Sequence, residues 1–338
     1  VPAVDVFFDL GSLNTRVATL SHGIIYRSKT AVSFHRFHRT YTNYGDEAYR
    51  LMGKQTPEFS TIFPIVNGHV GDITALGEII HHITQYVLEP YRKSRGIWKS
   101  HIHPIVAAHP FASPSQKRNL VEVFEDEIFT EPLFIKTSDA LAYFMQKTEA
   151  NNERVSACFH VGHGYSFFCV TQSHQTLQAH LIDFNGALIH QRVEYFLQLK
   201  HSLLFSAETI LQLVEKLLTF TYEPNAPRKQ KVVAKHITTG MPQTVVIDSN
   251  ELYDAVIPAI DLCVAQLQKV IQHLEPAATQ VIGEQGIHLT GGLGERSNLA
   301  TLLSKKLALP VHATPHSQDA VIMGMVEHER AFRELGTG

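Results

Sequence analysis

Val6-Phe-Phe-Asp-Leu-Gly-Ser-Leu-Asn-Thr-Arg-Val-Ala-Thr19 is the stretch from which the rest of this 338-residue chain is read. An apolar run reaches Asp9, breaks at Gly11, shows small polar side chains and then resumes alternating apolar residues: strand, tight turn, strand. A turn of that composition suits an anion. Gly11 lets backbone approach closely, the amides with Ser12, Asn14 and Thr15 offer donors, and Asp9 faces the same space as an acceptor for a hydrated Mg²⁺. An ordinary hairpin with a Gly-Ser-x-Asn turn gives the same pattern, and a short glycine motif alone does not separate the two.

Working outward, Cys158-Phe-His-Val-Gly-His-Gly-Tyr-Ser-Phe-Phe-Cys-Val170 is an imperfect second copy, and Ile287-His-Leu-Thr-Gly-Gly-Leu-Gly294 is a third glycine turn. Two related hairpins in two halves suggest a duplicated fold closing over one ligand. With them stand Gly45-Asp-Glu-Ala-Tyr-Arg-Leu-Met-Gly53, Pro64-Ile-Val-Asn-Gly-His-Val-Gly-Asp72, Thr238-Thr-Gly-Met-Pro-Gln-Thr244 and Leu289-Thr-Gly-Gly292. In order and spacing these segments resemble the G-x-x-A-x-x-M-x-G, R-P-L-x-D-G-V-I-A-D, T-T-G-L-P and L-T-G-G-G segments of the bacterial MreB branch of the actin superfamily. The likeness covers nearly the whole chain.

The resemblance implies an α/β class chain with a duplicated actin-like (ribonuclease H-like) two-domain fold and a nucleotide cleft between the halves. Residues 1–148 would form domain I, with subdomain IB at about 30–70. Residues 149–338 would form domain II, with subdomain IIB at about 185–238 and the last helix, about 318–334, returning to domain I. It also implies ATP or ADP with Mg²⁺. Ser12, Asn14 and Thr15 beside Gly11 would lie on one side of the phosphates, with Gly162, Gly164, Tyr165 and Ser166 on the other. Gly291, Gly292 and Leu293 would lie against the adenosine, and Glu208, in Ser206-Ala-Glu-Thr-Ile210, would meet the purine or ribose. Asp9 would hold the metal through water.

Several positions depart from that pattern. The aspartate that should open the second hairpin is His160, which brings no negative charge for a hard, oxygen-seeking cation. His163 and Tyr165 replace a glycine and a threonine, bulk where backbone should approach phosphate. Thr137 stands where the family's water-positioning glutamate belongs, Asn185-Gly-Ala187 replaces Gly-Gly-Asp, and Leu293 replaces a glycine. Jointly these point to weakened hydrolysis. Asp139, two residues past Thr137 at a helix start, is the remaining carboxylate that could substitute as a catalytic residue.

Bulk properties exclude less. Lys plus Arg number 29 against 32 Asp plus Glu, a net charge of -3, so no global basic field argues for nucleic acid. The 21 histidines are scattered without a metal-ligand spacing. Three cysteines without paired spacing argue for reduced thiols in a cytoplasmic protein. No run of about 18 apolar residues exists, and the start, Val-Pro-Ala-Val, has no signal-peptide pattern. The missing initiator methionine suggests trimming, by which a short N-terminal anchor would be lost.

Further along, Asp72–Leu88 carries a helical apolar stripe, and Thr176–Ile189 reads as strand. Glu251–Leu274 reads as a long helix with its stripe in the core. In Tyr91-Arg-Lys-Ser-Arg-Gly-Ile-Trp-Lys-Ser100, Ile97 and the single tryptophan, Trp98, sit inside a basic collar, suited to dip into an anionic bilayer at the inner membrane face. Alternatively the tryptophan folds back on the core. MreB proteins resemble this chain in having a hydrophobic membrane loop at about this place.

The expected function is that of an MreB-like cytoskeletal scaffold. It would bind nucleotide, self-associate into protofilaments or join them with other morphogenetic proteins, and hydrolyse ATP slowly or not at all. The alternatives are an active ATP-hydrolysing filament and a non-polymerising actin-like adaptor.

Overall fold

The computed structural model describes residues 3–53, 56–92, 94–95, 98–148 and 155–336. The chain divides into two compact units. The first comprises residues 1–156, 169–179 and 318–338, and the second comprises 157–168 and 180–317.

In the first unit a five-stranded sheet is ordered Leu133–Lys136, Ile102–Ala108, Val4–Leu10, Asn14–Thr19, Gly23–Lys29. Val4–Leu10 runs antiparallel to Asn14–Thr19, with Asp9 opposite Arg16, and parallel to Ile102–Ala108. One face of this sheet carries Val6, Phe8, Leu10, Val17 and Val106 into a core with Leu76, Ile79, Ile80 and Ile83. Those four are the stripe of the helix Ile73–Ile83, whose N-terminus is capped by Asp72 accepting from the Ala75 amide at 2.9 Å. Phe8 meets Phe124 edge-to-face at 5.1 Å in the same core. The expected helix over 72–88 is not uniform. Thr84 turns its hydroxyl back onto the Ile80 carbonyl at 2.8 Å, and Thr84–Leu88 winds as a wider π-type turn before Pro90.

The sheet of the second hairpin is ordered Gln175–Leu181, Ser166–Gln172, Val155–Val161, Ile287–Thr290, Val311–Ala313. Read from its other end this is the order of the first sheet: two later strands, the hairpin's first strand, its second, and a third meander strand. Duplication is therefore visible in connectivity as well as in the two glycine turns. The long helix Ser249–Gln272 buries Leu252, Val256, Ile260, Val264, Leu267 and Ile271, the stripe expected of it. Asp248 and Glu251 close a reciprocal capping box at its start. All three cysteines are buried, and none is in a disulfide.

One segment differs from its sequence reading. Only Gln175–Leu181 of the stretch 176–189 is strand, and Gly186–His201 is a single helix. Asn185 decides this, because its side chain accepts from the Leu188 amide at 2.9 Å and so starts the helix at Gly186, inside the stretch that reads as strand.

Candidate nucleotide site

The two glycine hairpins share one local geometry. In the first, the Gly11 amide donates to the Asn14 carbonyl at 3.0 Å; in the second, the Gly162 amide donates to the Tyr165 carbonyl at 3.0 Å. A Cβ on Gly11 would fall 2.8 Å from the Asn14 oxygen, and one on Gly162 would fall 2.7 Å from the Tyr165 oxygen. Only glycine closes either turn without displacing backbone.

Inside the first turn Thr30 donates to the Gly11 carbonyl at 2.7 Å, which leaves Thr15 as the donor to the Thr30 hydroxyl at 2.8 Å. Thr15 is fully buried. It braces the turn from behind, whereas the sequence reading had its hydroxyl toward phosphate. Ser12 accepts from the Gly68 amide at 3.0 Å, which leaves its own proton available. The amides of Ser12 and Leu13 have no hydrogen-bond partner among the described residues, so the turn presents free donors.

Asp9, the expected metal carboxylate, is engaged by Arg16, whose Nη1 lies 3.4 Å from its Oδ2. The same guanidinium donates through Nε to Asp319 Oδ1 at 2.8 Å, and Arg27 donates through Nη2 to Asp319 Oδ2, also at 2.8 Å. Burial pushes the Asp9 carboxyl above its ordinary range, against the lowering charge of Arg16. Burial acts upward on Asp319 too, but hydrogen bonds and charge from Arg27 and Arg16 outweigh it and hold that carboxylate below the usual range.

In the second hairpin His160 is buried, with Nδ1 3.2 Å from the Thr290 hydroxyl and its ring stacked on Phe167 at 5.2 Å. Ser166 Oγ is buried without a hydrogen-bond partner, and the Gly164 amide has none among the described residues. The carbonyls of Gly162 and His163 take the first two amides of the helix Gly186–His201, at 3.0 and 2.8 Å. Asn185 Nδ2 donates to the Gly164 carbonyl at 3.3 Å. Asn185, in place of the expected glycine, thus pins the loop onto the helix.

In the third turn Gly291 has φ +86° and approaches Val161, where a Cβ would sit 2.4 Å from the carbonyl oxygen. Ser317 holds it from both sides: the Gly291 amide donates to the Ser317 carbonyl at 2.9 Å, and Ser317 Oγ donates to the Gly291 carbonyl at 3.1 Å. Gly292 faces open space, and Leu293 is half-buried beside it. Glu208 lies in the first turn of Ala207–Leu217 and accepts from Gln212 at 2.9 Å.

Sequence reasoning missed four residues. Arg16 looks like one polar position in an alternating strand, and Thr30 and Ser317 look like ordinary hydroxyls. The fourth, Arg296, donates to the Leu218 carbonyl at 3.1 Å, and burial lowers its pKa. Its only signal was a cation four residues after Gly292.

Thr137 and Ser138 are buried at the start of the helix Thr137–Thr148. Asp139 accepts from the Thr176 hydroxyl at 2.7 Å, so the substitute carboxylate already has a fixed partner. Ile97 lies outside the described residues, as does the side chain of Trp98. Of the basic collar, Arg92 donates to the Ser100 carbonyl at 2.9 Å, and both Arg92 and Lys99 pair with Glu89.

Each hairpin taken by itself offers donors that fit a phosphate: the unbonded amides of Ser12 and Leu13 in the first, and the Gly164 amide with the orphaned buried hydroxyl of Ser166 in the second. The donor set does not fit a hydrated Mg²⁺. That ion seeks carboxylate oxygens, and here one carboxylate faces a guanidinium while the second position holds an imidazole locked by Thr290 and Phe167.

Two five-stranded sheets of the same strand order, each carrying a glycine hairpin, define an actin-like two-domain fold. The family described as MreB/Mbl protein matches residues 3–337, and the chain belongs to it, as a bacterial actin-like cytoskeletal protein. It is 19% identical to the cell shape-determining protein Mbl of Bacillus subtilis over 323 residues, 95% of this chain and 94% of that one. It is also 19% identical to the cell shape-determining protein MreB of Escherichia coli over 313 residues, 91% and 88% of the two chains. Among solved structures, MreB5 of Spiroplasma citri bound to AMPPNP superposes with a TM-score of 0.87 at 16% identity, covering 98% of this chain and 97% of that one. The subunit of the MamK double helical filament superposes at 0.73 with 17% identity, over 96% and 99%. No helix among the described residues is long and apolar enough to cross a membrane.

Proposed function

We propose that this chain is a filament-forming scaffold of the MreB/Mbl family that binds ATP or ADP as a structural ligand and hydrolyses it slowly or not at all. One observation carries the reading: the position implied for a metal carboxylate is His160, fixed between Thr290 and Phe167, so it is neither an acid nor free to be replaced by rotation. The position implied for the water-orienting glutamate is Thr137, which has no carboxylate to offer. Loss of acid-base assistance alone costs about 10²- to 10⁴-fold in rate. The cradles remain, which favours nucleotide retention over turnover. The nucleotide-bound MreB5 and the filamentous MamK support binding and self-association for this chain.

Contact with an anionic bilayer at the inner membrane face, through the segment 92–99, belongs to the same reading. The affinity of one short loop is weak, and filament avidity multiplies it.

The test is sedimentation of the purified chain with Mg-ATP and anionic liposomes, with phosphate release measured on the same samples. The expected result is pelleting that needs nucleotide, with release at the level of the protein-free blank. Release that climbs with assembly and disappears in Asp139→Asn would overturn the scaffold reading in favour of a working filament ATPase. Nucleotide binding without pelleting would favour a non-polymerising adaptor.

A further inference from the structure

We propose that this chain binds its adenine nucleotide as the free polyphosphate, without a divalent cation, and that Arg16 is the residue that makes the cation unnecessary. The inference rests on the nucleotide reading above and concerns which form of the nucleotide the site accepts.

A metal-assisted site of this kind needs carboxylates with uncompensated negative charge, which recruit the ion, and the ion then offsets the phosphates. Here Asp9 and Asp319 are matched by Arg16 and Arg27 in a continuous network of contacts at 2.8, 2.8, 3.2 and 3.4 Å. Two carboxylates and two guanidinium groups sum to zero. Arg16 is central, because it is the only member that touches both acids, and its side chain is 11% exposed, so it is held rather than wandering in solvent. An Mg²⁺ directed at Asp9 would meet the guanidinium already there, and guanidinium does not lose its proton to make way. The Asp319 contact also ties Arg16 to the base of the C-terminal helix, so pulling it off Asp9 means breaking a second ion pair.

The second hairpin agrees independently. His160 supplies no oxygen ligand, and its ring is occupied by Thr290 and Phe167. What each turn by itself offers is neutral: unbonded amides at Ser12 and Leu13 in the first, and the Gly164 amide with the orphaned Ser166 hydroxyl in the second, donors suited to an anion. With Asp9 neutralised, nothing at the first turn repels a phosphate that arrives without its metal.

The experiment titrates a fluorescent ATP analogue onto the full chain in excess EDTA and again in excess Mg²⁺. Electron paramagnetic resonance with Mn²⁺ and ATP counts bound metal in parallel. The expected result is a Kd equal in the two buffers to within about twofold, with no Mn²⁺ bound at the nucleotide stoichiometry. In Arg16→Leu, binding in EDTA should weaken by about fivefold or more, as expected for an unpaired acid beside the phosphates, and Mg²⁺ should recover it. A wild-type Kd at least about tenfold weaker in EDTA, or one Mn²⁺ held per nucleotide, would overturn the inference while leaving nucleotide binding intact. Absence of binding in both buffers would overturn the nucleotide reading itself. The metal count on the wild-type chain decides the matter even if Arg16→Leu does not fold.

Discussion

Gly324→Ala tests whether the C-terminal helix is set by close backbone approach. Gly324 lies in Ala320–Gly336, which packs against Thr137–Thr148, and a Cβ built there falls 1.8 Å from the Ala140 carbonyl oxygen and 2.6 Å from its carbon. Ordinary contact begins at 3.4 Å, so the helices must separate by about 1.6 Å along that line. Both helices carry buried apolar residues, among them Leu141, Phe144, Ile322 and Met325, so separating them exposes apolar surface. Overpacking of this kind costs about 3 kcal/mol, and the better helix propensity of alanine returns about 1 kcal/mol, leaving roughly 2 kcal/mol of destabilisation. At about 2–4 °C per kcal/mol, the melting temperature should drop by about 4–8 °C. Calorimetry and urea unfolding measure this directly. Because Asp319 immediately precedes the displaced helix, Gly324→Ala and Asp319→Asn should be non-additive by at least about 0.5 kcal/mol in a double-mutant cycle. A change below about 0.5 kcal/mol in the single variant, or strict additivity in the pair, would refute the reasoning that close approach at Gly324 sets the C-terminal helix and the Asp319 that precedes it.

Two further outcomes follow from the buried titratable groups. His109 is pushed down to about 4 by burial, with the charge of His69 beside it acting in the same direction. The unfolded chain therefore binds the proton first, so this stabilisation is complete above about pH 6.5 and is lost as pH falls toward 4; it amounts to roughly 2–3 kcal/mol. Urea midpoints taken between pH 7 and 4.5 should fall steeply in the parent and less so in His109→Gln; parallel slopes would refute the assignment. Glu251 accepts from the Asp248 amide at 3.1 Å, from His201 Nε2 at 2.6 Å and from Lys200 at 3.1 Å while buried. Glu251→Ala should cost about 2–4 kcal/mol, and Glu251→Gln, which keeps the cap, about half that. Equal urea midpoints for the two variants would show that the cap contributes nothing.

Local pattern carried much of this protein into view. The run from Val6 to Thr19 announces strand, turn and strand because glycine and alternation are properties of adjacent residues, and the structure forms Val4–Leu10 and Asn14–Thr19 there. The 249–272 helix was legible for the same reason, since its buried stripe repeats every three or four residues. The start of the 186–201 helix was not. The strand-like run ahead of it masked a single capping side chain, Asn185, and a cap acts through one hydrogen bond that leaves no periodic trace.

At the site the division is sharper. The sequence alone determined which residue types stand in the glycine turns, and so that His160 and Thr137 replace acids, because chemical identity needs no geometry. What Asp9 faces is set in three dimensions alone. Arg16 comes opposite it through strand register, and Asp319 reaches Arg16 from 303 residues away at the start of the last helix. Charge balance is a property of distance in space, and no pattern along the chain encodes a distance between residues so far apart in it.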